Sequence, residues 1–165
     1  MKKLIGLFLL VIFLQNVNAQ KYGYLNKEEL YKSMPEYDSA NVLVERIRKE
    51  FENQLAAMQG ELSSKTASLN NESANISDFL RQNRQEELKN LDIRIQLFSV
   101  KATSQLEDKK NQLLQPIIAK ADNAIKAVAI EQGFIFVIDG AQLLYTDEKK
   151  CINMMPMVKA KLALR

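Results

Sequence analysis

The stretch FIFVIDG, Phe134 to Gly140, decides the fold. It places five large apolar residues in a row and closes on Asp139-Gly140. The long span before it is polar and helix-prone, so the run is out of character with its surroundings. An apolar run without alternation reads as a strand buried on both faces. Asp139-Gly140 reads as turn chemistry. Gly133, just upstream, is the expected cap of a preceding helix. Downstream, GAQ turns and LLYTD, Leu143 to Asp147, reads as a returning strand. The segment from Ile152 then makes a last helix, with Asn153 as cap and Pro156 in its first turn.

Before the run, the apolar period is helical. Val44, Ile47, Phe51, Leu55, Met58 and Leu62 recur at spacings of 3 and 4, and Leu69 follows one heptad later. Gly60 sits inside this helix at a cost of about 1 kcal/mol relative to Ala. NNESANIS, residues 70–77, is rich in Asn and Ser and reads as a turn. From Asp78 a second helix carries Leu88, Leu91, Ile95, Phe98, Ala102, Leu106, Leu113 and Ile117, and continues to Gln132. Pro116 lies inside it and is expected to bend it. Two long helices joined by a short turn make an antiparallel hairpin.

The N-terminal side completes the plan. KYGYLN, Lys21 to Asn26, is a short strand candidate. Asn26 and Glu29 have the spacing of a capping box for a short helix ending near Ser33, and Pro35 opens the long helix. A strand at each end of the hairpin means that the two ends meet. The fold expected is therefore mainly α with a small β body. The body comprises residues 20–35 and 117–165, and residues 36–116 form the hairpin. Three short strands leave open edges, and oligomerisation through Tyr22, Tyr24, Phe134, Phe136, Ile138, Leu143 and Tyr145 is the simplest way to cover them.

Residues 1–19 read as a secretory signal peptide: Lys2 and Lys3, the apolar run Leu4 to Leu14, and small residues at Val17 and Ala19. Cleavage after Ala19 would leave a chain starting at Gln20. The formal charge is +3, from 23 basic and 20 acidic residues. Two of the bases belong to the leader, so the remainder is nearly balanced and gives no reason to expect nucleic-acid binding. One cysteine, Cys151, excludes an internal disulfide framework. With no histidine, no Gly-rich phosphate loop and no paired-cysteine motif, the sequence offers no catalytic, cofactor or metal constellation. Met154 to Met157 read as packing of the last helix, and Cys151 as a small buried residue. NES and NIS, at Asn71 and Asn75, match the glycosylation pattern and read as turn polarity.

The order of leader, KYGYLN, charged hairpin, EQGFIFVIDG, LLYTD and short terminal helix resembles the Skp/OmpH family of periplasmic chaperones. LRQNRQEELKNLDIRIQLF, Leu80 to Phe98, and LLQPI, Leu113 to Ile117, add to the likeness. The resemblance implies a homotrimer in which three hairpins project from a β-rich body around a cavity. It implies a periplasmic holdase, working without ATP, that encloses unfolded outer-membrane β-barrel proteins and prevents their aggregation. It implies no enzyme activity. Phe79, Leu80, Leu97 and Phe98 are the candidate client contacts, set against ordinary hairpin packing. Residues 36–116 carry 11 basic and 13 acidic residues, whereas the family's hairpins are strongly basic. This weakens any attraction to anionic lipid or lipopolysaccharide and leaves client capture to apolar contact and confinement. The alternative reading is a structural or adaptor coiled-coil protein of the envelope that binds one folded partner.

Overall fold

A computed structural model describes residues 20–72 and 76–164. The expected leader, and Ser73 to Asn75 of the expected turn, lie outside the described residues. The described chain divides into two compact units, residues 20–33 with 120–164, and residues 34–119.

The first unit is built on three strands. β1 (Lys21–Leu25) lies between β2 (Phe134–Asp139) and β3 (Cys151–Asn153) and pairs with both in parallel. Parallel neighbours require a long crossover, and the entire span between Leu25 and Phe134 supplies it. Tyr22 pairs with Phe136 and Tyr24 with Ile138. A register shift after Lys21 leaves Ile135 as the extra residue of a bulge.

α1 (Lys27–Lys32) begins as its capping residues require, with the Asn26 side chain accepting a hydrogen bond from the Glu29 amide at 3.1 Å. α4 (Met155–Lys161) starts with Pro in its first turn, and Asn153 Oδ1 accepts from the Met155 amide at 2.9 Å. One sheet face is packed. Leu25, Leu30, Met154 and Val158 are all 1% exposed or less, and Ala121, Ala124 and Val128 bury the inner stripe of the last turns of α3 (Asp78–Gln132). Gly23 makes room for the buried Met154 side chain, because a Cβ would overlap its sulfur unless that side chain shifted. Gly133 caps α3 with φ +70°, in the left-handed region that favours glycine.

Two expectations are corrected. Leu143 to Asp147 is not a strand; the third strand is Cys151–Asn153. Aspartate turns explain the difference. Asp139 Oδ1 accepts from the Ala141 amide at 3.1 Å, opening one 3-10 turn, and Asp147 accepts from the amides of Lys149, Lys150 and Cys151. These local bonds hold the chain off the sheet until Cys151 can pair with β1. Nor is FIFVID buried on both faces within one chain. Ile135, Phe136 and Ile138 are exposed, because β2 is an edge strand and one face of the sheet has no covering layer among the described residues.

The second unit is an antiparallel helix pair, α2 (Pro35–Glu72) and the first part of α3. Its cross-pairs run in opposite senses: Phe51 meets Phe98, Lys65 meets Glu87 and Glu72 meets Arg84. The Phe51 and Phe98 rings meet edge to face, with centroids 6.2 Å apart. Val44, Ile47, Phe51, Leu55, Met58, Leu62 and Leu69 are all half-buried. Opposite them, Leu91, Ile95, Ala102 and Leu114 are buried. Ser77 opens α3, its hydroxyl accepting from the Leu80 amide at 3.3 Å. Pro116 stands inside a helix that continues through it to Gln132.

Candidate functional site

Two surfaces collect the residues that the sequence singles out. The first is the uncovered face of the sheet. Residues paired across parallel strands share a face, and alternate residues of one strand do too. Tyr22, Tyr24, Phe136 and Ile138 therefore stand together on that face. The Tyr22 and Phe136 rings lie 4.8 Å apart at 32°, and Phe136 remains 47% exposed. Phe134, on the other side of the bulge, belongs to the packed face, its ring beside Gly23. Leu143 is half-buried and Tyr145 exposed, and both line a groove with Tyr24, Asn153 and Met155. Cys151 is half-buried on the β3 edge.

The second surface lies on the hairpin. Phe79 is 73% exposed, Leu97 65% and Leu80 40%. Phe98 turns the other way, into the seam against Phe51. Adjacent residues on a helix point about 100° apart, so the seam takes one of the Leu97–Phe98 pair and leaves the other outside. Sequence reading did not single out Val42, Ile93 and Val100, which are also exposed.

A model of the OmpH-like outer membrane protein family matches residues 21–162, which include every element of both units. The chain belongs to the OmpH-like family. Its fold is similar to the crystal structure of a Caulobacter crescentus CB15 protein described as an OmpH-like outer membrane chaperone. That likeness has a TM-score of 0.72 at 12% sequence identity and covers 87% of this chain and 83% of the other. No curated protein matches.

A compact charged cluster in the sheet unit of this OmpH-like chain is structural in character. Lys27 Nζ lies 2.8 Å from Asp122 Oδ1, and the Tyr31 hydroxyl donates to the same oxygen at 3.4 Å. The hydrogen bond to Asp122 holds the Lys27 ammonium above its ordinary pKa, and burial pushes the Tyr31 phenol up. A lysine held protonated is neither nucleophile nor base near neutrality. The cluster ties α1 to α3, while the Lys27 amide donates to Asp139 Oδ1 at 3.4 Å. Among the described residues no group of three or more His, Cys, Asp or Glu side chains could hold a metal, and no helix is long and apolar enough to cross a membrane.

Proposed function

We propose that this OmpH-like protein is a periplasmic holdase that binds unfolded outer-membrane β-barrel proteins without ATP and prevents their aggregation. Family membership supports a chaperone role. The observation that carries the finer reading is the hairpin surface, where Phe79, Leu80 and Leu97 stand exposed among many charged and polar side chains. Dispersed apolar contacts suit a binder of many unrelated chains, because no single contact fixes one sequence. The open face carrying Tyr22, Tyr24, Phe136 and Ile138 supports self-association, and the family resemblance makes a trimer the expected assembly. Hairpins from several copies would then enclose one client. Release follows when folding in the outer membrane removes the client from the binding equilibrium.

Light scattering tests this directly. A urea-unfolded outer-membrane β-barrel protein is diluted out of denaturant with and without the purified protein. Suppression of scattering near one oligomer per client is the expected result. Unchanged aggregation in the presence of folded, oligomeric protein would refute the holdase and leave the adaptor with one folded partner.

A further inference from the structure

Resting on the holdase reading, we infer that a ridge centred on Leu97 of α3 binds unfolded segments in which an acidic side chain stands next to apolar ones. On a helix the surface neighbours of a residue are those three and four positions away. For Leu97 these are Ile93, Arg94, Val100 and Lys101. Ile93, Leu97 and Val100 are all exposed, at 43%, 65% and 72%. The seam residues Leu91, Ile95 and Ala102 on the other side of the helix are buried. Leu97 is thus flanked by two aliphatic side chains along one border and two cations along the other.

The charges set this ridge apart from the rest of the hairpin. Residues 88–106 carry three bases, Lys89, Arg94 and Lys101, and one acid, Asp92, which is already bonded by the Gln96 amide at 2.9 Å. The remainder of residues 36–116 carries 8 bases and 12 acids. Arg94 and Lys101 make no ion pair among the described residues, whereas Arg48 is held by both Glu45 and Glu52. The ridge therefore combines two cations outside any ion pair of the described residues with three exposed aliphatic side chains, on a hairpin that elsewhere carries an excess of acid. A carboxylate placed against Arg94 and Lys101 would leave its apolar neighbour over Leu97.

The dimensions favour a polypeptide over a membrane. Ile93 to Val100 spans about 10 Å at 1.5 Å per residue, the length of about three residues of extended chain. Beyond it, Glu86, Asn90, Ser104 and Asp108 continue the same face. The apolar ridge ends after two turns, whereas an interfacial helix needs a continuous apolar face.

The test uses the fluorescently labelled, urea-unfolded β-barrel client and reads binding by anisotropy. The variant I93Q/L97Q/V100Q changes only exposed positions, and Gln is at least as good a helix former as Ile or Val. It should weaken client binding about tenfold, the loss expected for three partly covered aliphatic contacts. R94Q/K101Q should weaken binding about threefold and abolish its salt dependence. Both should keep the wild-type circular dichroism. Wild-type binding and salt dependence in both variants would overturn the ridge and leave the holdase standing. No client binding by the wild-type protein would overturn both. If the triple variant keeps its client but loses binding to phosphatidylglycerol vesicles, the ridge is a lipid contact and the inference fails.

Discussion

The two units of this protein are held together by different means. In the sheet unit the core is three-dimensional: β1 is flanked by strands, and its packed face is sealed by α1, α4 and the end of α3. Leu25, Leu30, Met154 and Val158 lose essentially all contact with water. The hairpin has only a seam. From Ala40 onward its best-buried positions, Leu91, Ile95, Ala102 and Leu114, keep a few per cent of exposure, and the α2 side of the stripe is only half-buried. Two helices alone offer each side chain one partner, so every seam residue has a flank in water. Shallow packing of this kind keeps the apolar side chains near the surface, which would suit the many weak client contacts of the proposed holdase.

Truncation at matched chemistry should expose the difference most strongly. Leu30→Ala in the sheet unit should cost about 2–5 kcal/mol, because its site is enclosed and a cavity would remain. Leu91→Ala in the seam should cost about 2 kcal/mol, the lower end of that range, because a two-helix seam can close over the gap. Denaturant unfolding followed by circular dichroism measures both, and equal losses would refute the contrast. Gly60 sharpens it from the other direction. It lies within α2, and a Cβ there would meet nothing within 4 Å. Gly60→Ala should therefore stabilise the hairpin by about 1 kcal/mol, through helix propensity and a restricted unfolded chain. A stability loss in the same unfolding experiment would mean that the position is packed in the assembled protein.

Much of this contrast was legible in the sequence. The 3-and-4 spacing from Val44 to Leu62 and from Leu88 to Ile117 specifies the seam, and the Asn26–Glu29 and Gly133 caps form as their chemistry requires. The sheet was less legible. LLYTD has strand composition, but β propensity describes fitness for a pleated, half-buried surface, and both edges of β1 are taken by other segments. Cys151–Asn153 is too short to signal a strand by composition alone. On the hairpin, the stripe through Phe98 drew attention from a second one. Ile93, Leu97 and Val100 also recur at 4 and 3, and only the seam partners on α2 reveal which stripe is left outside. Pairings between distant positions, such as Lys65 with Glu87, leave no local pattern at all.

That ion pair gives the smallest effect and a test of how the outer half of the hairpin is held. Lys65 occupies the stripe between Leu62 and Leu69, is half-buried, and bridges the seam to Glu87 on α3. The hydrogen bond from Lys65 holds the Glu87 carboxyl below its ordinary value of 4.5, and the same bond raises Lys65 above 10.5. A carboxylate with a lowered folded pKa adds stability that is complete above its unfolded value and lost as pH falls through the folded one. A lysine with a raised folded pKa adds stability that is complete below its unfolded value and lost as pH rises through the folded one. The pair should therefore act unchanged across the neutral range and fail first on the acid side, below 4.5. Amide hydrogen exchange near Leu62 and Leu91 should accelerate there in the wild-type protein, after correction for the intrinsic pH dependence of exchange. In Glu87→Gln the corrected rate should be higher at neutral pH and largely flat through the acid range. Since both groups face solvent, added salt should move the wild type towards the variant. If exchange near Leu30 responds to acid as strongly as exchange near Leu91, the acid effect is global, and this seam pair is not what sets the hairpin apart.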